Sequence, residues 1–320
     1  KVLALAQDKK IGGIILFGYN IKNPEQLKAL LAPFQDKNLL ISIDQEGGHV
    51  QRLKAADGFK ETPSAYRLAQ GSLEEAQQAY EDMAAQLHDL GFNLNFGPVV
   101  DLYREESPII GRLKRSYGSE PEKVVHYARL FIQAHHKYDV LTCLKHFPGH
   151  GLALKDSHHG RVEITYTHLP EVETKPFEML IQEGMADSVM TAHLEHHAFD
   201  TQYPATLSEH IVKPLLRETL FFDGVVITDD LHMGAIAKEY NFEEIVLQAI
   251  NADMDILLFS NNRQACPDLK EQDQDKSLAQ RFIEVVEQAV QEGRISAERI
   301  NSSYQRIQKM KASREKKKAA

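Results

Sequence analysis

Cysteine is scarce: Cys143 lies inside an apolar run and Cys266 beside Pro267, and no others occur in 320 residues. That excludes a disulfide framework and a paired-cysteine zinc site, and it argues against cysteine chemistry. Long apolar runs are also missing, since none approaches the ~18–20 residues of a membrane-spanning helix. Basic charge is short as well. Lysine and arginine total 37 against 46 acidic residues, a formal net charge of −9, whereas nucleic-acid binders carry a basic footprint for the phosphate backbone. The tail Arg314-Glu315-Lys316-Lys317-Lys318 is too short to reverse this and reads as a solvated terminus. No Gly/Ser/Pro linker or short repeat divides the chain, so one domain over residues 1–320, acting as a monomer, is expected. The chain opens at Lys1 without methionine, in what reads as a helix end. A removed N-terminal segment is therefore expected, with an exported or periplasmic location slightly favoured over a cytoplasmic one.

What is present is a series of short apolar, β-branched runs: Ile11–Phe17, Leu39–Ile43, Phe92–Val100, Val140–Leu144, Ser188–Ala192, Gly224–Thr228 and Asp255–Phe259. Helical periodicity fills the gaps between them. Ser72 with Glu75 makes a capping box ahead of Ala76, Ala79, Met83, Leu87 and Leu90, and Gly91 ends that helix. Ser119 with Glu122 repeats the capping pattern before Val124, Ala128 and Phe131. Further helices are expected over Lys175–Glu183, Glu209–Thr219, Glu243–Asn251, Leu278–Glu292 and Ala297–Lys311. Strands alternating with helices specify a parallel α/β architecture buried on both faces. Seven visible units plus one lost or remodelled ahead of Ile11 predict a TIM-type (β/α)8 barrel. A doubly wound sheet is the alternative, but its Gly-x-Gly-x-x-Gly opening is absent.

Chemistry collects where the apolar runs end. Leu39–Ile43 is followed by Asp44-Gln45-Glu46-Gly47-Gly48-His49-Val50-Gln51-Arg52, and Phe92–Val100 by Asp101. Val140–Leu144 leads into Lys145-His146-Phe147-Pro148-Gly149-His150-Gly151, with Asp156-Ser157-His158-His159 just beyond; Thr228 is followed by Asp229-Asp230-Leu231-His232-Met233. Strand-end loops are where barrel enzymes keep catalytic groups. Helix caps and loop ion pairs explain any one of these carboxylates alone, but they do not require the whole collection.

Asp44–Arg52, Arg115-Ser116-Tyr117, Lys145–Gly151 with Asp156-Ser157-His158, and Thr228-Asp229-Asp230-Leu231-x-Met233, in this order, resemble the successive signatures of glycoside hydrolase family 3. Within it they are similar to the bacterial β-N-acetylglucosaminidases (β-hexosaminidases), over about Ile11 to Asn261. The resemblance implies a single barrel and a retaining mechanism through a covalent glycosyl-enzyme. It assigns Asp229 as nucleophile, with Asp230 capping or orienting, and His158 as general acid/base oriented by Asp156. It places Asp44, Arg52, Arg115, Lys145 and His146 on the N-acetylglucosamine ring, with the two arginines and Lys145 keeping Asp44 ionised. His49 departs from the family's usual basic residue at that position, and Asn251-Ala252 from a common small-residue pair.

The implied function is exo-acting release of terminal β-linked N-acetylglucosamine from peptidoglycan fragments or chitooligosaccharides, with cell-wall recycling as the usual role. The implied partner is a carbohydrate, and no metal or organic cofactor is required. His150 is expected to stabilise its loop by a hydrogen bond; His159, His135-His136 and His196-His197 read as surface or supporting residues. Two other classes stay open. His146, His150, Asp156 and His158 could ligate zinc in a metal-dependent hydrolase, although their spacing matches no His-Glu-x-x-His pattern and leaves Asp229 unexplained. A non-catalytic glycan-binding barrel would be favoured only by loss of Asp229 or of the Asp156–His158 pair. A neutral histidine does not repel phosphate, so phosphate also stays open as an acceptor in place of water.

Overall fold

The computed structural model describes residues 1–260 and 277–317, with side chains described as far as residue 314. Its main sheet is parallel throughout. Strands β1 (Gly13–Leu16), β2 (Leu40–Ile43), β3 (Leu94–Asn95), β4 (Leu141–Phe147), β6 (Ser188–Thr191) and β8 (Val225–Thr228) pair in that order. Two short strands, β5 (Val162–Glu163) and β7 (Leu194–Glu195), make a separate parallel pair that the sequence pattern did not suggest. The run Asp255–Phe259 lies alongside β8 through a parallel bridge between Ile227 and Ile256.

Strand alternation explains why these runs are apolar on both faces. On β8, Val225 and Ile227 point to an interior cluster with Leu40, Leu94, Leu141, Cys143 and Met190, while Val226 packs outward against the helices. Ile15 of β1 joins the same interior cluster as Ile256 and Leu258 from the far side of β8, so the sheet is curled. The C-terminal helix Ala297–Lys317 inserts Ile307 and Met310 into that cluster.

Several expectations shift. Among the described residues the main sheet has no eighth strand, and Val2–Gln7, ahead of β1, is a helix. The Phe92–Val100 run is laddered only at Leu94–Asn95, because Pro98 brings no N–H; Val99 recovers a single bridge, to Lys145. The capping box at Ser72 and Glu75 forms, and Gly91 ends the helix Leu73–Leu90 at φ +96°. The second box does not. Pro121 opens the helix Pro121–Lys137, which makes Glu120 the cap and leaves Ser119 outside it, bonded to Glu120. The expected helix over Glu209–Thr219 is a π-helix over Val212–Thr219 that contains Pro214, which has no N–H to donate. The basic tail is helical through Lys317, and Arg314 is tied down by a bond to the Asp139 carbonyl. Cys266 and Asn261 fall outside the described residues.

Candidate active site

The C-terminal ends of the strands carry one continuous chain of ion pairs. Arg52 Nη2 lies 3.0 Å from Asp44 Oδ2, and Lys145 Nζ 3.0 Å from Asp44 Oδ1. Lys145 Nζ also reaches Glu46 Oε1 at 2.7 Å, and Arg115 grips Glu46 with two 2.8 Å bonds. Arg115 Nη2 then lies 3.3 Å from His146 Nε2, whose Nδ1 is 2.7 Å from Asp101. Local sequence makes this geometry possible. Gln45 Oε1 accepts the N–H groups of Arg52 and Leu53, folding the segment back on itself. At Gly47, with φ +98°, any Cβ would sit 2.4 Å from the Pro63 carbonyl oxygen. Lys145 and His146 are consecutive, so an undisturbed strand would send them to opposite faces. The register of β4 against β6 slips between Lys145 and Phe147, and both side chains reach the network.

The alternation of signs keeps the buried groups ionised. Burial pushes the Asp44 carboxyl up, but Lys145 and Arg52 outweigh it and hold the group far below the ordinary carboxylate range. Glu46 is held low in the same way by Arg115 and Lys145, against its burial. Burial acts to lower the Lys145 pKa, yet Asp44 and Glu46 raise it overall. The two arginines act on Asp44 differently: Arg52, like Lys145, pairs with it directly, whereas Arg115 pairs with Glu46 and reaches Asp44 through its field.

Asp229 and Asp230 follow β8 directly and differ in their surroundings. Asp230 is buried and occupied, accepting from the His232 and Ser260 N–H groups and from the Ser260 hydroxyl. Burial raises its pKa. Asp229 stays partly exposed, and its Oδ1 accepts the Asp230 N–H at 2.7 Å. Burial pushes Asp229 up, but the fields of His193, His146 and His158 and that N–H bring it below the usual value. A carboxylate kept ionised, accessible and free of a salt bridge among the described residues is suited to attack an electrophilic carbon.

His158 and Asp156 form the expected dyad. Asp156 Oδ1 accepts the His158 backbone N–H at 2.9 Å and faces His158 Nδ1 at 2.8 Å, which leaves Nε2 to exchange a proton. The bond to Asp156 raises the His158 pKa against burial, and the negative charges of Asp156 and Asp229 add to it. Asp156 is held down to about 2, its burial outweighed by its bonds to His158. The loop reaches Asp229 because it docks on the segment after β8. Ala235 N–H donates to the Ser157 carbonyl at 3.1 Å, and a Cβ at Gly234 would meet the His158 carbonyl oxygen at 2.5 Å.

Four residues of this site carried no assignment in the sequence reading. Glu46 lies within the Asp44–Arg52 motif, and the signal for Asp101 is its place directly after an apolar run. His193, which stacks its field on Asp229 and lies 3.0 Å from the Asp230 carbonyl, follows Ser188–Ala192 at a strand end and could have been found by that position. Glu173 lies buried beneath the loop that carries Asp156 and His158, on a one-turn helix with no sequence signal. His150 is corrected: its backbone N–H donates to Asp101 at 2.8 Å, while both ring nitrogens are buried without a partner among the described residues. His135 is fully buried between Asn95 and Phe131.

The zinc reading loses its geometry. His146 is engaged by Asp101 and His158 by Asp156, so three of the four proposed ligands are split between two separate dyads, and the His150 ring belongs to neither. Among the described residues no group of three or more His, Cys, Asp or Glu is placed to hold a metal ion.

Residues 2–310 match the profile of the glycosyl hydrolase family 3 N-terminal domain, further at both ends than the motifs themselves extend. The chain belongs to glycosyl hydrolase family 3. As a member it is a glycoside hydrolase, and its relatives agree. A β-hexosaminidase of Haemophilus influenzae is 37% identical over 267 residues, covering 79% of this chain and 74% of that protein. The solved family 3 β-N-acetylglucosaminidase of Paenibacillus sp. str. FPU-7 superposes with a TM-score of 0.86 at 36% identity, covering 98% of this chain and 58% of that longer one. The β-N-acetylhexosaminidase of Beutenbergia cavernae superposes at 0.83 with 28% identity, covering 97% of this chain and 92% of its own.

Proposed function

We propose that this glycoside hydrolase is an exo-acting, retaining β-N-acetylglucosaminidase that removes terminal β-linked N-acetylglucosamine from peptidoglycan fragments or chitooligosaccharides, as in cell-wall recycling. In this reading the curled sheet belongs to a closed (β/α)8 barrel, and residues 1–320 act as one catalytic unit and as a monomer. The observation that carries it is the asymmetry between Asp229, ionised and accessible, and Asp230, buried and fully engaged, beside a histidine held by Asp156.

The Asp44–Lys145–Glu46–Arg115 chain presents alternating acceptors and donors for sugar hydroxyls. Asp229 attacks the anomeric carbon as protonated His158 gives its Nε2 proton to the departing oxygen, and the carbon–oxygen bond breaks. The neutral ring then takes a proton from water, whose oxygen attacks the same carbon and frees Asp229 with the β configuration retained. An aspartate-held histidine does this work because the Asp156 carboxylate supports the imidazolium before transfer and fixes the tautomer after it.

The test is a mechanism-based fluoro-sugar label of the N-acetylglucosamine series, followed by peptide mass spectrometry and NMR of the first-formed product anomer. A label on Asp229 and a β product are expected; a label on Asp230 or an α product would overturn the mechanism. Hydrolysis of 4-nitrophenyl β-N-acetylglucosaminide that persists in chelator is expected alongside, and its loss would restore the metal-dependent reading.

A further inference from the structure

The loop that carries Asp156 and His158 leaves β4 at Pro148 and returns at His168, just before the one-turn helix Pro170–Glu173. Its two ends meet beneath the active site. Pro148 O lies 3.2 Å from His168 Nε2 in a hydrogen bond, and Glu173 Oε2 packs 3.5 Å from the same nitrogen without a hydrogen bond of its own among the described residues. Glu173 Oε1 accepts the Leu152 N–H at 3.0 Å, and the Gly151 backbone adds a second bond to the carboxyl. The side chains of Glu173 and His168 are 1% and 0% exposed, so these contacts are made without competing water.

The glycines of His-Phe-Pro-Gly-His-Gly acquire a reason from this packing. A Cβ at residue 149 would fall 2.6 Å from Glu173 Cβ, and one at residue 151 would fall 2.3 Å from the Leu102 carbonyl oxygen and 3.0 Å from Glu173 Oε1. Gly149 leaves the room that Glu173 fills, and Gly151 leaves room for both Glu173 and the Leu102 backbone. On the other side, Asp101 accepts the His146 and His150 N–H groups and faces the His146 ring, tying the start of the loop to the ion-pair chain. Glu173 therefore joins the part of the loop already registered to the sugar-binding network with the part that returns from the dyad.

We propose that Glu173, which stands where the loop returns, is a positioning residue for the Asp156–His158 dyad, holding the departing end of that loop through the backbone of residues 151 and 152 and by packing against Gly149. The inference rests on the reading of His158 as general acid. Burial and the nearby Asp101 carboxylate push Glu173 up to about 8, opposed by the bonds from Leu152 and Gly151 and by Arg104, which favours its acid form at neutral pH. His168, which faces it, is pushed down to about 4 by burial, and its nearest ring neighbour His196 is also lowered by burial. The clasp is thus made by uncharged groups, and glutamine reproduces its shape and its acceptor oxygen. The outer part of the loop keeps its own anchors, the β5–β7 pair and the Ser157 carbonyl. Loss of the clasp therefore misplaces His158 without releasing the loop.

The test compares kcat/KM on two substrates with the same reacting sugar. N,N′-diacetylchitobiose has a leaving oxygen that needs a proton, whereas 2,4-dinitrophenyl β-N-acetylglucosaminide has one that leaves without it. Glu173→Ala is expected to lose about 100-fold on the disaccharide, the low end of what general acid catalysis supplies, and to change little on the dinitrophenyl substrate. Glu173→Gln should recover most of the disaccharide activity. If Glu173→Ala does not fold, Glu173→Asp, which withdraws the carboxyl by one methylene, should show the same split in weaker form. Equal losses on both substrates, no loss on either, or failure of Glu173→Gln to recover activity would overturn the proposal. His158→Ala, run beside them, must show the split itself; if it does not, the acid/base reading has failed rather than the clasp.

Discussion

Among the described residues a buried ion-pair network lies at each end of the strands, and the difference between the two separates chemistry from architecture. At the N-terminal end, Arg217, Arg299 and Arg306 converge on Asp253 and Asp255, the latter with 0% side-chain exposure. Their surplus donors go to backbone carbonyls: Arg217 to Phe222 and Gly224, Arg299 to Ile250 and Met254. That network is closed, and it fastens the C-terminal helix beneath the sheet. At the C-terminal end, Arg52, Lys145 and Arg115 alternate with Asp44 and Glu46, yet Asp44 stays partly exposed and Arg52 Nε has no partner among the described residues. Hydrogen-bonding capacity is left over there, next to an accessible Asp229. A cluster of buried charges identifies a binding site by its unspent donors and acceptors, not by its charge count.

Substitutions at the two ends should therefore fail in different ways. Asp229→Asn should have the largest effect, a loss of kcat on the order of 10⁴-fold or more as for other catalytic nucleophiles, with an unchanged melting temperature. Residual activity near one tenth of wild type would remove Asp229 as nucleophile. His158→Ala should cost about 10²- to 10⁴-fold on substrates with poor leaving groups. Because glycosylation uses the acid form of His158 and its pKa is raised, kcat/KM on a substrate with a poor leaving group should hold above the ~6.5 of a free histidine and fall only as pH passes the raised value. Asp156→Asn should move that alkaline limb to lower pH, and a limb that stays in place would show that another group titrates.

Asp44→Asn comes next, at about 10- to 100-fold in kcat/KM. That corresponds to roughly 1.5–3 kcal/mol for hydrogen bonds to a charged group, and it should be expressed mainly in KM. A pure kcat effect would place Asp44 outside ground-state sugar binding. Asp255→Asn should have the smallest effect on turnover and a clear one on folding. Disrupting a buried pair costs about 3–5 kcal/mol, so denaturant midpoints should fall while kcat per folded molecule stays at the wild-type level. A catalytic defect in folded Asp255→Asn would erase the distinction between the two networks.

Amino-acid order alone determined the parallel α/β class, the positions of the strand runs and the motif residues, because burial on both faces and helix periodicity are written locally. Asp229 and the Asp44 segment stood out by following apolar runs, but the roles given to them and to the Asp156–His158 pair came from the resemblance of their motifs to family 3. Pairing across the strands was not legible. That Arg115 belongs to Glu46 rather than Asp44, and that Lys145 bridges the two, depends on which strand ends the sheet brings together. The contrast between Asp229 and Asp230 required Ser260, thirty residues on, to occupy one carboxylate and leave the other free. Glu173 showed nothing in sequence, since a glutamate in Pro-Glu-Val-Glu is ordinary until tertiary packing buries it against Gly149 and Gly151. Local patterns record what each segment must hide from water; only the folded arrangement decides which polar groups satisfy one another and which remain for a substrate.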